Sequence, residues 1–476
     1  MYKFTLAAFT AAAIAAAPVH AADLWDVYQL ALQNDPTFQQ AQATYEAAQE
    51  NAPIARAGYL PNLGLSANRT LQRSNGSQPF GFGPSGPIQG QFDANNYSST
   101  YTLQLTQPIF NWSAWENIKQ ADASVAQAEA QYLAAQQALI VRTATAYFAV
   151  LTARDTLAAD RAAKQANDKL LEQAKEKYQV GMSAITDVQE AQAAYDQSVA
   201  DEIGGQQQVI NAEESLRAIT GQPVTDLEEP PADMPLHNPV PDDAQKWVSQ
   251  ALQQNPNLLA AQAGAQVAAK AVSIKRAGHY PTLDMTLSHT KNNNSNSFSA
   301  LGSTFNELSN TNGNLLMLSL NFPIFAGGGV SAQVTQAQRQ YDAAQDQVQL
   351  VTRQTEQQAR TAFLGVLTGI SQVQALKQSV TSNDTSLQAT EAGMQVGTRT
   401  IVDVLTSRQN LLKAQTSFAQ SRYNYLTSVL QLKQAAGDLS ANDVKQINSM
   451  LQVAAPKPDM AAKASPPAAG AAGNGP

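Results

Sequence analysis

The 476 residues contain no cysteine, which excludes disulfides, thiol chemistry and cysteine-ligated metal. Charged side chains are scarce, at 14%, and no basic run occurs; with a formal net charge of −8 this argues against a nucleic-acid partner. The four histidines, His20, His237, His279 and His289, are scattered without metal-ligand spacing. Neither a glycine-rich phosphate loop nor a triad arrangement is present, so the chain reads as neither an enzyme nor a cofactor binder. Long hydrophobic runs are missing too. After the first residues no stretch approaches the ~18 apolar residues of a transmembrane helix.

Both ends stand apart from the body. Lys3, the apolar stretch from Phe4 to Ala17 and the small-residue site Val19-His20-Ala21 predict an export signal over residues 1–21. Residues 454–476 are rich in Ala, Pro and Gly, carry no core-forming pattern and are expected to be disordered.

Between them the chain repeats itself. Ala31-Leu32-Gln33-Asn34-Asp35-Pro36 matches Ala251-Leu252-Gln253-Gln254-Asn255-Pro256, and Pro108-Ile109-Phe110 matches Pro323-Ile324-Phe325. Gly181-Met182-Ser183-Ala184-Ile185-Thr186-Asp187-Val188 matches Gly397-Thr398-Arg399-Thr400-Ile401-Val402-Asp403-Val404. The repeats cover residues 22–221 and 244–453, joined by a linker at 222–243 that carries six prolines. Each reads as helix, strand, loop, strand, long helix, tip, helix. The loops are expected at 74–96 and 291–312, where Gly, Asn and Ser accumulate.

The first long helix runs from about Ser113 to Gln179 without a proline, on the order of 100 Å at 1.5 Å per residue. Its return helix places Val188, Tyr195, Val209 and Leu216 on a seven-residue grid, with Glu202 the polar exception. In the second repeat Val334, Ala337, Tyr341, Ala344, Val348 and Val351 show 3-4 spacing, and Val404, Leu411, Phe418, Tyr425 and Leu432 recur every seven residues. Such seams predict supercoiled helices. Gly181 and Gly397 suit left-handed helix ends, and Thr and Asp a few residues later suit the start of the next helix. Each stretch is therefore a hairpin tip.

The strands alternate. Tyr101, Leu103 and Leu105 oppose Thr102, Gln104 and Thr106; Leu316, Leu318, Leu320 and Phe322 oppose Met317, Ser319 and Asn321. One apolar and one polar face is the lipid-out, lumen-in pattern of an outer-membrane barrel. Four strands cannot close a barrel, and open edges in lipid leave backbone groups unpaired. Either the sheet lies outside a membrane or two, three or four subunits share one barrel. Trp112 and Trp115, past a strand end, fit an interfacial belt or ordinary packing.

The element order, with Thr143-Ala144-Thr145-Ala146-Tyr147-Phe148, Leu103-Gln104-Leu105-Thr106-Gln107 and the two tips, resembles the TolC family of outer-membrane efflux channels over essentially the whole mature chain. The resemblance implies a homotrimer with a 12-stranded β-barrel shared between subunits in outer-membrane lipid and a coiled-coil helical barrel in the periplasm. It implies passive exit for drug efflux and type I secretion, with a periplasmic adaptor and an inner-membrane transporter as partners. Asp403 matches a carboxylate that constricts the periplasmic entrance; the family's second carboxylate position holds Thr406. Thr186, Asp187, Glu391 and Arg399 match residues that hold the mouth closed, but Leu170 and Met394 stand where polar partners belong. Val180, Gly181, Val396, Gly397 and Thr398 match the tips against which the adaptor docks. The plainer alternatives are helix-start residues for Asp187 and Asp403, a solvated loop charge for Arg399, and a periplasmic coiled-coil structural or adaptor protein for the whole.

Overall fold

The structure is a computed structural model and describes residues 22–83, 86–224, 226–300 and 302–451. The readings made for residues 1–21 and 454–476 fall outside them. The elements in order are α1 (Leu24–Asn34), α2 (Pro36–Gln49), α3 (Asn51–Ala57), β1 (Asn62–Gly83), β2 (Gly86–Phe110), α4 (Trp112–Gln179) and α5 (Ile185–Thr220). Then come α6 (Ala244–Gln254), α7 (Pro256–Arg276), β3 (Thr282–Ala300), β4 (Ser303–Asn321), α8 (Gly329–Gln395), α9 (Ile401–Ala436) and α10 (Ala441–Asn448). Two compact units result, each drawing on both repeats: residues 43–132 with 257–352, and the remaining segments.

The first unit carries the sheet, an antiparallel meander in the order β1-β2-β3-β4. Ladder pairing continues far beyond the expected strands, through 74–83 against 86–96 and 291–300 against 303–312. The expected polar loops are therefore the outer halves of two long hairpins. Gly, Asn and Ser have low strand propensity, but propensity is weak against a ladder already in register. That register puts Leu63, Leu105, Leu287 and Leu316 in one row, with Leu65 and Leu103 in the next. Met285 with Leu318, and Leu283 with Leu320, continue the same face. Ser66, Thr102, Thr290 and Gly313 form a row on the opposite face, where the Thr102 and Thr290 hydroxyls lie 3.3 Å apart. Below the apolar rows Trp112 meets Tyr280 and Trp115 meets Tyr59, both edge-on, and the Lys119 ammonium lies over both indoles. Among the described residues no helix is long and apolar enough to cross a membrane.

The second unit is helical. Its core stacks Phe148 on Tyr423, with ring centroids 5.8 Å apart, and buries Tyr147, Leu139, Leu151, Leu426 and Leu430. Tyr423 donates to Asp155 at 2.6 Å. The proline-rich linker is pinned to this core: the Tyr147 hydroxyl donates to the Glu228 carbonyl at 2.8 Å, Arg422 donates to the Pro230 carbonyl at 3.0 Å, and Tyr425 donates to the His237 carbonyl. The repeat is visible here. Asp35 and Asn255 both end a first helix and are both buried, Asp35 paired with Arg142 and Asn255 donating to the Ala435 carbonyl at 3.0 Å. The heptad seams are buried in part: Val188, Leu216, Val404, Leu411, Tyr425 and Leu432 are buried, Tyr195, Val209 and Phe418 are half-buried, and of the seam on α8 only Ala337 is buried; the out-of-pattern Glu202 is bound by Arg161 and Lys164.

Candidate functional site

The two tips are built alike. After α4, Gly181 takes φ +77°, its N–H donates to the Tyr178 carbonyl at 3.0 Å and the Met182 N–H to the Lys177 carbonyl at 2.8 Å. After α8, Gly397 takes φ +79°, its N–H donates to the Met394 carbonyl at 3.2 Å and the Thr398 N–H to the Gly393 carbonyl at 2.9 Å. This double return satisfies the last carbonyls of each helix, and the left-handed position favours glycine.

The helix starts then differ. In α9 Thr400 and Asp403 form a reciprocal capping box: the Thr400 N–H donates to the Asp403 carboxylate at 2.9 Å and the Asp403 N–H to Thr400 Oγ1 at 3.3 Å. The Thr400 backbone and hydroxyl, with the Arg399 charge nearby, hold the Asp403 carboxylate below the usual range. Asp403 is thus a helix-start residue in each chain. In α5 the N-cap is Ala184, with no side-chain bond to offer, and Asp187 instead accepts from the Ser183 hydroxyl at 2.7 Å. Thr186 is exposed on the first turn of α5.

Glu391 is bound within its own hairpin, to Arg408 at 2.6 Å, and beside it the Thr390 and Ser407 hydroxyls lie 3.2 Å apart. Sequence reasoning missed Arg408; its signal was that it and Glu391 lie nearly equally far from the turn. Arg399 makes no ion pair within 4 Å among the described residues, and its side chain lies against Gly393. Asp187, Glu391 and Arg399 are therefore not joined directly inside one chain.

What joins the hairpins is apolar. Leu170, Leu171 and Ala174 of α4, Val188 and Ala191 of α5, and Ile401 of α9 form one buried cluster, against which Tyr195, Met394 and Leu405 pack. Leu170 and Met394, the two departures from the family's polar pattern, are both part of it. Beyond the cluster the tips expose apolar side chains: Val180, Met182, Ile185, Val396 and Val402. Met182 escaped the sequence reading, masked as a turn residue. Among the described residues no group of acidic, His or Cys side chains could hold a metal.

Two helical hairpins joined by an apolar cluster, and a sheet of four long strands with one apolar face, are the parts of an outer-membrane channel component. The profile of the outer membrane efflux protein family matches residues 27–222 and 247–438, and the chain belongs to that family. It is 34% identical to the outer membrane protein TolC of Vibrio cholerae, over 95% of this chain and 99% of that one. It is 28% identical to the alkaline protease secretion protein AprF of Pseudomonas aeruginosa, over 89% of this chain and 86% of that one. Its fold matches the crystal structure of the outer membrane protein VceC of Vibrio cholerae with a TM-score of 0.70 at 22% identity, covering 87% and 96% of the two chains. The protein is an outer-membrane efflux channel component and not an enzyme.

Proposed function

We propose that three copies share one 12-stranded barrel in the outer membrane and one helical tunnel in the periplasm. The tunnel gives passive exit for drug efflux and for type I protein secretion, the second use supported by the likeness to AprF. One observation carries this reading: the four-stranded sheet has an apolar and a polar face, and β1 and β4 each keep one edge without a partner among the described residues. In lipid such edges cost several kcal/mol per unpaired group, so the sheet closes only by meeting further copies.

The hairpin tips form the periplasmic entrance. Three copies of Asp403 constrict it as a single carboxylate ring, and Thr186, Asp187, Glu391 and Arg399 of neighbouring coils help to hold it closed. The exposed Val180, Val396 and Thr398 around Gly181 and Gly397 receive a periplasmic adaptor, which couples the channel to an inner-membrane transporter. The energy for transport comes from that transporter.

The test is single-channel conductance in a planar bilayer, comparing wild type with Asp403→Ala and Thr400→Ala. Both substitutions break the capping box, but only the first removes the charge. A loss of cation preference confined to Asp403→Ala places the carboxylate in a ring. Equal behaviour of the two variants leaves Asp403 a helix cap only. A folded protein that forms no channel sinks the shared barrel.

A further inference from the structure

The four described strands contain three lysine or arginine residues, Arg69, Arg73 and Lys291; His289, on the same face one row below Lys291, is hydrogen-bonded to Asn314. The register puts all three on the apolar face. Lys291 stands beside Tyr101 in the row that begins at Ala67; Arg69 stands beside Ser99 one row further out; Arg73 stands beside Asn95 two rows beyond that. The carboxylates of Asp284 and Glu307 lie on the opposite, polar face, Asp284 opposite Pro108 and Glu307 opposite Asn296. The one acid on the apolar face is Asp93, and it is bound to Arg73 at 3.0 Å. Arg69 and Lys291 are exposed, and neither makes an ion pair with a described residue.

Their height is specific. From the Leu283 row to Lys291 is about 26 Å along the strand at ~3.3 Å per residue, or about 20 Å once a barrel tilt of roughly 40° is applied. The apolar band of an outer-membrane barrel is about 25 Å tall. Lys291 and Arg69 therefore sit where acyl chains give way to headgroups, at the end of the sheet away from the helices. Tyr101 and Tyr97 mark the same boundary as an aromatic girdle. A long cationic side chain at this depth keeps its stem on the apolar wall and lifts its charge to the headgroup layer. Arg69 and Lys291 are two strands and one row apart, about 12 Å, so one headgroup with two anionic groups spans them.

We propose that Arg69 and Lys291 form a binding site for the phosphate groups of a phosphorylated glycolipid in the outer leaflet, with Tyr101 between them and the leucine rows beneath holding its acyl chains. The chemistry is charge complementarity: a protein of net charge −8 places its only strand cations on the lipid face, where a phosphate belongs. Arg73, satisfied by Asp93, stands outside the site. This inference rests on the proposal that the sheet faces lipid.

The experiment reconstitutes full-length protein in phosphatidylcholine vesicles containing diphosphorylated lipid A, extracts it in mild detergent and counts retained lipids by native mass spectrometry. The Arg69→Gln/Lys291→Gln double variant is expected to retain at least fivefold less lipid A at unchanged phosphatidylcholine. Arg69→Lys/Lys291→Arg restores retention, and dephosphorylated lipid A is held weakly by all. Equal retention in the Gln variant overturns the site. Displacement of lipid A by 10 mM inorganic phosphate overturns the lipid assignment in favour of a free-anion site. Wild-type protein that fails to insert into the vesicles overturns the lipid-facing sheet itself, and the site falls with it.

Discussion

At the scale of single residues the tip of α9 couples a helix cap to a charge. Asp403 closes a capping box, and its carboxylate is held below its usual pKa by the Thr400 donors. A depressed carboxylate pKa stabilises the fold above the unfolded value of about 4, and that contribution is lost as pH falls through the folded value. Hydrogen exchange at the Thr400 and Asp403 amides, the two that the box holds, is therefore expected to be flat from pH 7 to 5, after correction for intrinsic rates, and to quicken below pH 4. In Thr400→Ala the same amides exchange faster at every pH, by the equivalent of about 1 kcal/mol. A pH-independent protection pattern in wild type would show that the cap does not depend on the charge. Glycines separate just as clearly. Both Gly397 and Gly437 are left-handed, at φ +79° and +86°, but a Cβ on Gly397 meets open space while one on Gly437 lies 2.4 Å from the Gln254 carbonyl oxygen. Gly397→Ala is expected to cost only the backbone strain, about 1–2 kcal/mol, and Gly437→Ala to lower the melting temperature much further, because backbone must move against backbone.

The elements were legible in proportion to how local their cause is. Heptads, left-handed glycines and alternating strands are patterns within one segment, so α4, α5, α8, α9 and the inner halves of β1–β4 could be read directly. The outer halves of the hairpins could not: Asn292–Asn294 or Ser295 carry no strand signal of their own and are strands because the opposite chain is in register. The site divides the same way. The tip residues were found from the repeat and the resemblance, whereas Arg408 and the apolar cluster depend on which helix lies beside which. Leu170 and Met394 looked like gaps in a polar network and are instead part of a hydrophobic clasp. That reassignment bears on how the proposed entrance is held. Leu170→Ala leaves a cavity in the buried cluster and is expected to cost about 2–5 kcal/mol of local stability. On the proposed reading it raises the open-channel fraction, and raising the salt from 0.1 to 1 M does little by itself because burial is not screened. If salt opens wild-type channels as strongly as Leu170→Ala does, ion pairs dominate and the clasp is secondary.

At the scale of the whole molecule the sheet poses the remaining physical problem. Among the described residues β1 and β4 each present an unpaired row of backbone groups, over 22 and 19 residues. In water an edge strand tolerates proline wherever its N–H faces outward, because that donor bonds only solvent. In an antiparallel strand the N–H groups of consecutive residues point to opposite sides, so of Ser66→Pro and Ala67→Pro one breaks a bond to β2 and the other removes an outward donor. If β1 were a free edge, one of the two would be silent. If β1 pairs with β4 of a neighbouring copy, neither is, since each lost ladder bond in lipid costs several kcal/mol. Both variants are therefore expected to lose the detergent-resistant oligomer on unheated gels, while circular dichroism shows the helices intact. The wild-type oligomer should weigh three times the chain by native mass spectrometry. A proline at the outward-facing position that leaves the oligomer untouched would mean that the outer edge of β1 carries no partner, and closure would have to be sought elsewhere than between copies.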